Sequence, residues 1–473
     1  MYGTPSDESV FPDQDAPARG LSRRSVLGSG VAATVLATVG VGPAWAGGAH
    51  HPRPASPERR GYAFLDAAMD GYPTFGTNRL AQSYTDQAGL FSTAFTYDNA
   101  LCVLAYLADW RPSSTARATT LGDALLFAQD NDPQYADGRL RQAYNVGPYT
   151  FYDGSLQPDG FVRADGKANV GAQFGFLGTA VGDMAWAAIA LGALARRTRA
   201  HRFRDGAVRI GEWIHANARS DQPLGGYTFG VDGANAPLPF SSCEHNIDLV
   251  ALFGQLAHLT GARKWLERRQ HAATFVKRMW EPDGGFFYTG TNDGTAINRF
   301  PVPEDTQSWS FLALDSRRYD RALDWELSNL AVLDTPERRN STLTPGQYFD
   351  GVTFSSASLI ANEDAPIAPF QPKPDRNGVW FEGNGHLALA LRERGNRGDE
   401  AQARRLLAST ERAQGQLGAG QTIGGRTLPE RAGVVSASSP LDTGFGFGYY
   451  PYRHTGATAW YLLAANRANP LQT

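Results

Sequence analysis

The chain has 473 residues, 42% of them apolar and 19% charged, with a formal net charge of −3. That length allows one large core or up to about three smaller ones, and the near-neutral balance excludes an electrostatic grip on nucleic acid, which needs a strongly basic face. Two cysteines, Cys102 and Cys243, are too few for a disulfide scaffold. Both fall within or at the start of apolar helical patterns, so buried free thiols are expected rather than a bridge.

Taken in chain order, Ser22-Arg23-Arg24-Ser25-Val26-Leu27 reads as a twin-arginine export signal. A Gly- and Ala-rich apolar run from Gly28 to Val41 follows, and Ala44-Trp45-Ala46 has the small-x-small pattern that signal peptidase cuts. The expectation is a signal peptide over residues 1–46, a flexible lead-in over 47–59 and a single domain over 60–473. Export by the twin-arginine machinery makes the protein secreted or cell-envelope. The alternative, a membrane helix beginning at Ser25, fits poorly with so short and Gly-rich a run. No later run is long enough to span a bilayer, so no integral membrane segment is expected once the signal is removed.

From Tyr62 onward one motif recurs: an acid at the front of a helix of small and apolar residues. It appears at Asp98-Asn99-Ala100-Leu101, at Gly182-Asp183-Met184-Ala185-Trp186 and at Glu244-His245-Asn246-Ile247-Asp248. It returns at Asp305-Thr306-Gln307-Ser308-Trp309 and Glu382-Gly383-Asn384-Gly385-His386, and without the acid at Thr455-Gly456-Ala457. Helices with more charge lie between, over 119–129, 204–216, 264–280, 319–333 and 400–413. Alternation of a polar-backed helix with one that is hydrophobic nearly all round predicts two concentric rings, the outer covering the inner. Gly-rich, aromatic turns such as Gly225-Gly226-Tyr227-Thr228-Phe229 predict short ribbons joining them. The longest irregular stretch runs from Pro345 to Val379, and a loop of that size is often functional.

This rhythm, with the strings Tyr97-Asp98-Asn99-Ala100-Leu101, Glu244-His245-Asn246 and Trp380-Phe381-Glu382-Gly383, resembles the six-hairpin (α/α)6 toroid. Many glycoside hydrolases, some polysaccharide lyases and some sugar epimerases share that architecture. The resemblance extends from the first apolar helix almost to the end of the chain. It implies an all-α toroid with short β-ribbons in the loops at the funnel face, and an active-site funnel at the N-terminal ends of the inner helices. The acids stand at those ends.

Several carboxylates around one mouth repel one another, so at least one should hold a proton near neutral pH. A protonated acid facing an ionised one is the pair that glycoside cleavage uses. Glu244 is the candidate general acid: the apolar run Leu238-Pro239-Phe240 would desolvate it, and Asp248, one turn on, adds like-charge pressure. Glu382 and Asp305 compete for the base that activates water. Glu382 has His386 one turn away and room beside Gly383 and Gly385, whereas Asp305 leads Gln307 and Trp309, a face suited to a sugar ring. Asp98 and Asn99 are assigned to binding, and Asp183 to an N-cap or a funnel role. Tyr97, Trp309, Trp380 and Tyr449 are candidates to stack on sugar, Arg453 and His454 follow the Gly-aromatic run over 445–452, and Trp186 reads as core. For every one of these acids and amides the bland alternative is helix capping, since Asp and Asn are preferred N-caps.

The leading expectation is a secreted glycoside hydrolase with an inverting two-carboxylate mechanism and a carbohydrate partner. One alternative is a polysaccharide lyase, with Tyr97, His245 or His386 as base and Asn246 or Arg453 neutralising a uronate. A sugar epimerase on the same fold is another, and a non-catalytic glycan-binding protein is a third. The chain has no Gly-x-Ser-x-Gly elbow, no phosphate-cradling Gly-x4-Gly-Lys loop and no His-Glu-x-x-His helix. No metal and no cofactor are expected.

Overall fold

The computed structural model describes residues 55–472 apart from 74–76, 152, 172–175 and 315. The twin-arginine motif, its cleavage site and the lead-in as far as residue 54 lie outside the described residues. The first helix, α1 (Pro57–Met69), starts inside the stretch expected to be a flexible lead-in. Ser56 caps it by accepting a hydrogen bond from the Arg59 backbone N–H, and proline stands at its first position.

Twelve α-helices among the described residues then alternate in character. The apolar set is α2 (Thr96–Ala108), α4 (Val181–Thr198), α6 (Cys243–Thr260), α8 (Asp305–Leu314), α10 (Phe381–Arg394) and α12 (Thr455–Ala465). The amphipathic set is α3 (Pro112–Asp130), α5 (His201–Ala218), α7 (Lys264–Arg278), α9 (Asp320–Asn329) and α11 (Asp399–Gln416), with α1. Each apolar helix packs on the next, and α12 packs on α2, which closes an inner ring; α3 to α11 cover that ring, and α1 covers α12. Residues 387–391 of α10 and 457–464 of α12 are buried on every side. An outer helix such as α5 buries one face, Phe203, Gly206, Ala207, Ile210, Gly211, Trp213, Ile214 and Ala218, as an amphipathic helix does. Each large aliphatic or aromatic side chain so buried contributes about 1.5–3 kcal/mol. The fold is the expected all-α (α/α)6 toroid, with residues 56–473 forming one unit. Cys102 and Cys243 are both buried free thiols. Among the described residues no helix is long and apolar enough to cross a membrane.

One outer helix is shorter than its pattern predicts. The helix expected over 319–333 stops at Asn329, and Ala331–Asp334 pairs antiparallel with Phe349–Val352 from the long irregular stretch. The Asp334 carboxylate fastens that strand end by accepting hydrogen bonds from Ser438 Oγ (2.6 Å) and Ser439 Oγ (2.7 Å). Ladder hydrogen bonds and this anchor outweigh the helical periodicity there.

A single polar device fixes each ribbon to its inner helix. In α2 the Asn99 amide accepts from Ala81 N–H (2.7 Å) and donates back to Ala81 C=O (3.1 Å). Asn246 of α6 does the same with Tyr227 (2.8 and 3.0 Å), and Gln307 of α8 with Phe287 (2.8 and 3.0 Å). Asn384 of α10 accepts from Val352 N–H (3.0 Å), Thr458 Oγ1 of α12 from Val434 N–H (2.9 Å), and Met184 Sδ of α4 from Leu140 N–H. A side-chain amide presents the donor–acceptor pair of a strand edge, so buried ribbon backbone finds a partner without another strand. Asn99, Asn246 and Gln307, expected to meet substrate, have their amides engaged by backbone instead.

Candidate active site

Aligning the inner helices on these clips brings two tiers of side chains to the toroid axis. The upper tier is Tyr97, Gly182, Glu244, Asp305, Glu382 and Gly456, one from each inner helix. Four residues on, and so one turn below on the same face, stand Leu101, Trp186, Asp248, Trp309, His386 and Trp460. The tryptophans come from alternate helices, α4, α8 and α12, and meet at centroid distances of 5.0, 5.6 and 5.7 Å. They form a dry floor. Trp186 and Trp309 are therefore core, as expected of the first and not of the second.

The two axial glycines make room above that floor. At Gly456 a Cβ would stand 2.7 Å from Asp98 Oδ1 and 2.9 Å from Glu382 Oε2. Its absence lets Asp98, His454 and Glu382 close in on one another beside α12. Tyr97 on α2 donates its hydroxyl proton to Glu382 Oε1 on α10 (2.6 Å), while Trp460 Nε1–H donates to Tyr97 Oη (2.9 Å). His454, at the start of α12, lies 3.1 and 3.2 Å from the two oxygens of Asp98 through Nε2 and 3.6 Å from Glu382 Oε2 through Nδ1. Nδ1 accepts from Ala457 N–H (3.3 Å) and caps the helix, so the first ring proton sits on Nε2, toward Asp98. Burial opposes charge on His454, but Asp98 and then Glu382 raise its pKa. Burial likewise opposes ionisation of Glu382, yet His386, His454 and Tyr97 together lower its pKa. Glu382 Oε2 is buried and has no hydrogen-bond partner among the described residues.

The other half of the ring is built differently. Burial first, then the charges of Asp305, Asp248, Asp183 and Glu382, raise Glu244 well above the ordinary carboxyl range. Burial, followed by the neighbouring Glu304, raises Asp305 to about 7, and burial raises Asp183 to about 7. Asp248 is wholly buried, and burial, then the charge of Asp305, raises it too against the opposing effect of the Trp186 indole N–H. Glu244, Asp183 and Tyr97 keep partial exposure, which marks the mouth. None of the upper-tier acids caps its own helix by a side-chain hydrogen bond. Asp183 instead accepts the Tyr97 backbone N–H of the neighbouring helix (3.3 Å).

Tyr449 reaches this ring from the hairpin that pairs Leu441–Asp442 with Gly448–Tyr449. Burial and then the charges of Glu382, Asp98, Glu244 and Asp305 raise its hydroxyl well above the usual phenol range, so it stays protonated. Its ring stacks on Trp380 at 5.6 Å, and Trp380 is otherwise buried against Phe354 and His386. Tyr84, which the sequence reading overlooked, lies flat on His454 at 4.1 Å.

Three expected ligand contacts sit elsewhere. Arg453 points away from the acids and donates from Nη1 to Pro429 C=O, because strand alternation sends it and His454 to opposite faces. His245 is buried beside Gly182 and Phe229, and burial lowers it to about 3, which leaves it neutral and a poor base. Asp248 lies under Glu244, where its effect reaches a substrate only through that acid. Glu304 and Glu326 went unnoticed in the sequence: Glu304 precedes α8, and Glu326 lies on the outer ring. A signal for Glu326 existed, since it falls on the same stripe of α9 as the buried Ala322 and Leu323. Among the described residues no group of three or more His, Cys, Asp or Glu is arranged to hold a metal ion.

No protein-family model matches the sequence, and no curated protein matches it significantly. Solved structures do. A D-mannose isomerase superposes with a TM-score of 0.55 at 11% identity, covering 88% of this chain and 95% of its own. Cellobiose 2-epimerase from Bacillus thermoamylovorans gives 0.54 at 10% identity, covering 86% and 97%. A family 76 glycoside hydrolase from a bovine Bacteroides thetaiotaomicron strain gives 0.52 at 10% identity, covering 88% and 78%. The ring of six hairpins seen here is the one these proteins share, and the chain has the six-hairpin (α/α)6 toroid fold.

Proposed function

We propose that this protein is a glycoside hydrolase that inverts configuration, with Glu244 as general acid and Glu382 as the base that activates water. The observation that carries the reading is the opposite displacement of two acids in one tier: Glu244 is raised well above the ordinary range and Glu382 is lowered. Environments that push two carboxyls apart in this way divide the acid and base roles. The two stand on α6 and α10 with α8 between them, an arrangement suited to the separation of about 6.5–9.5 Å that leaves room for water in inversion. Asp305, at about 7, is the weaker candidate for base because it is half protonated at neutral pH. Tyr97, Tyr449 and Asp98 line the same well as binding groups.

A second reading, a sugar epimerase, is favoured by one observation: His454 stands between Asp98 and Glu382 with a raised pKa, placed to carry a proton to and from a sugar carbon. A glycan screen run in heavy water separates the two. Hydrolysis releases new reducing ends, with the first anomer seen by NMR, and leaves carbon-bound hydrogens unlabelled; epimerisation places deuterium on carbon. Lyase action would give an ultraviolet-absorbing unsaturated product. Glu244→Gln and Glu382→Gln should each abolish the hydrolytic product, and equal turnover by all three proteins would remove the assignment. Export through the twin-arginine route belongs to the same proposal; Arg23→Lys with Arg24→Lys should retain the protein in the cytoplasm, and unchanged export would exclude that route.

A further inference from the structure

Behind Glu382, away from the mouth, a line of buried polar side chains runs to the outer ring. His386, one turn below Glu382, has Nε2 3.8 Å from Glu382 Oε1 and Nδ1 2.9 Å from Glu304 Oε2. Glu304 Oε1 accepts from Ser308 Oγ at 2.8 Å, and that same hydroxyl lies 2.7 Å from Glu326 Oε2 on α9. His386, Glu304, Ser308 and Glu326 are all fully buried.

Counting hydrogens gives the line a direction. A serine hydroxyl has one proton, so between two carboxyl groups it donates to only one at a time, and one of the two must carry a proton of its own. Burial first, and then the charge of Glu304, raises Glu326 well above the ordinary range. Glu326 therefore keeps its proton and shares it directly with Glu304, while the single Ser308 proton goes to one of these two carboxyl groups. The remaining oxygen of Glu304 faces Nδ1–H of His386. Burial opposes charge on His386, but Glu304 and then Glu382 outweigh it and raise it to about 9.

We propose that Glu304 is a positioning residue for the Glu382 chemistry: oriented by Ser308 and Glu326, its carboxylate holds His386 as an imidazolium whose Nε2–H faces Glu382. The inference rests on the reading of Glu382 as the ionised member of the reacting pair. The rings of Trp460, Trp309 and Trp380 wall His386 at 4.4, 5.0 and 5.2 Å, keeping out water that would screen the pair. Other groups also act on Glu382. Tyr97 from α2 and His454 from the start of α12 favour its charge. Asp305 on α8 and Glu244 on α6 would oppose it if ionised, and Tyr449 faces it from the hairpin. As Asp98 stands behind His454, a second carboxylate, Glu304, stands behind His386.

Ring-nitrogen NMR of the histidine-labelled full-length protein tests this, with His386 assigned by the loss of its signals in His386→Asn. Both ring nitrogens should be protonated at pH 7 in the wild type. In Glu304→Gln, which keeps the shape and removes the charge, the midpoint should fall by at least about one pH unit, a tenfold loss of proton affinity. The acid limb of kcat/KM should move up in pH in the same variant, with kcat at its optimum reduced far less. Glu326→Gln, a neutral donor of equal size, should leave the His386 midpoint in place. A neutral His386 in the wild type at pH 7 overturns the proposal, whether or not Glu304→Gln folds; so does a Glu304→Gln midpoint equal to the wild type. A Glu382→Gln protein with full activity would instead remove Glu382 from the reaction and leave the imidazolium in place, so the two failures look different.

Discussion

On the α2, α10 and α12 side of the funnel, Glu382 is surrounded by donors: Tyr97, His386 and His454 hold it ionised. On the α4, α6 and α8 side, Asp183, Glu244, Asp248 and Asp305 face mainly one another and buried apolar walls, and all four are raised. Glu244 and Glu382 occupy the same helix position, the second residue of an inner helix. Helix position therefore does not set the charge. Glycine at that position in α12 lets Asp98 and His454 close in on Glu382 of α10, whereas α6 lies between helices that present further acids.

The largest expected effect comes from breaking the donor-rich half. Glu382→Gln should lower kcat by about 10³-fold, within the range for a general base, with the melting temperature held. A fall of less than tenfold would move the base elsewhere. Glu244→Gln should lower kcat/KM by about 10²-fold and erase the alkaline limb of the pH profile. Its melting temperature at pH 8 should match or exceed the wild type, because a neutral amide replaces a carboxyl crowded by other acids.

Both halves push stability the same way with pH, which sharpens the contrast with ordinary acid-labile proteins. Asp183 and Asp305 are raised from 3.8 to about 7, so the folded state keeps protons that the unfolded chain has released, and their contribution is lost between those values as pH rises. His386 is raised from 6.5 to about 9, so its contribution is complete below 6.5 and lost through about 9. Melting temperature should fall from pH 5 to pH 9, by an amount on the order of a few kcal/mol of stability. A rise over that interval would contradict these protonation states. The smallest effect belongs to a ribbon clip. Asn246→Ala should cost about 1–3 kcal/mol by leaving Tyr227 N–H and C=O unpaired, with no movement of the pH–rate profile. A moved profile would mean that the amide also serves the site.

Recurring acid-led helices made the toroid and its funnel legible, because burial on all sides leaves a compositional trace in a 3.6-residue helix. The same trace misled at Asn99, Asn246 and Gln307. A polar residue in the first turn of an apolar helix looks the same whether it meets substrate or clamps a ribbon. Arg453 and His454 show the limit again, since adjacent residues in a strand face opposite sides and only the pairing of Val434–Val435 with Arg453–His454 says which is which.

By itself the sequence determined which segments are inner helices, where their acids begin and that more charged helices alternate with them, because local periodicity needs no partner to be read. Only the tertiary structure decided which acid is ionised. That depends on groups hundreds of residues apart, such as Tyr97 and Glu382, and on the missing side chain of Gly456 that lets Asp98 and His454 close in on Glu382. It depends as well on Glu304 and Glu326, whose chemistry is set by what is buried beside them.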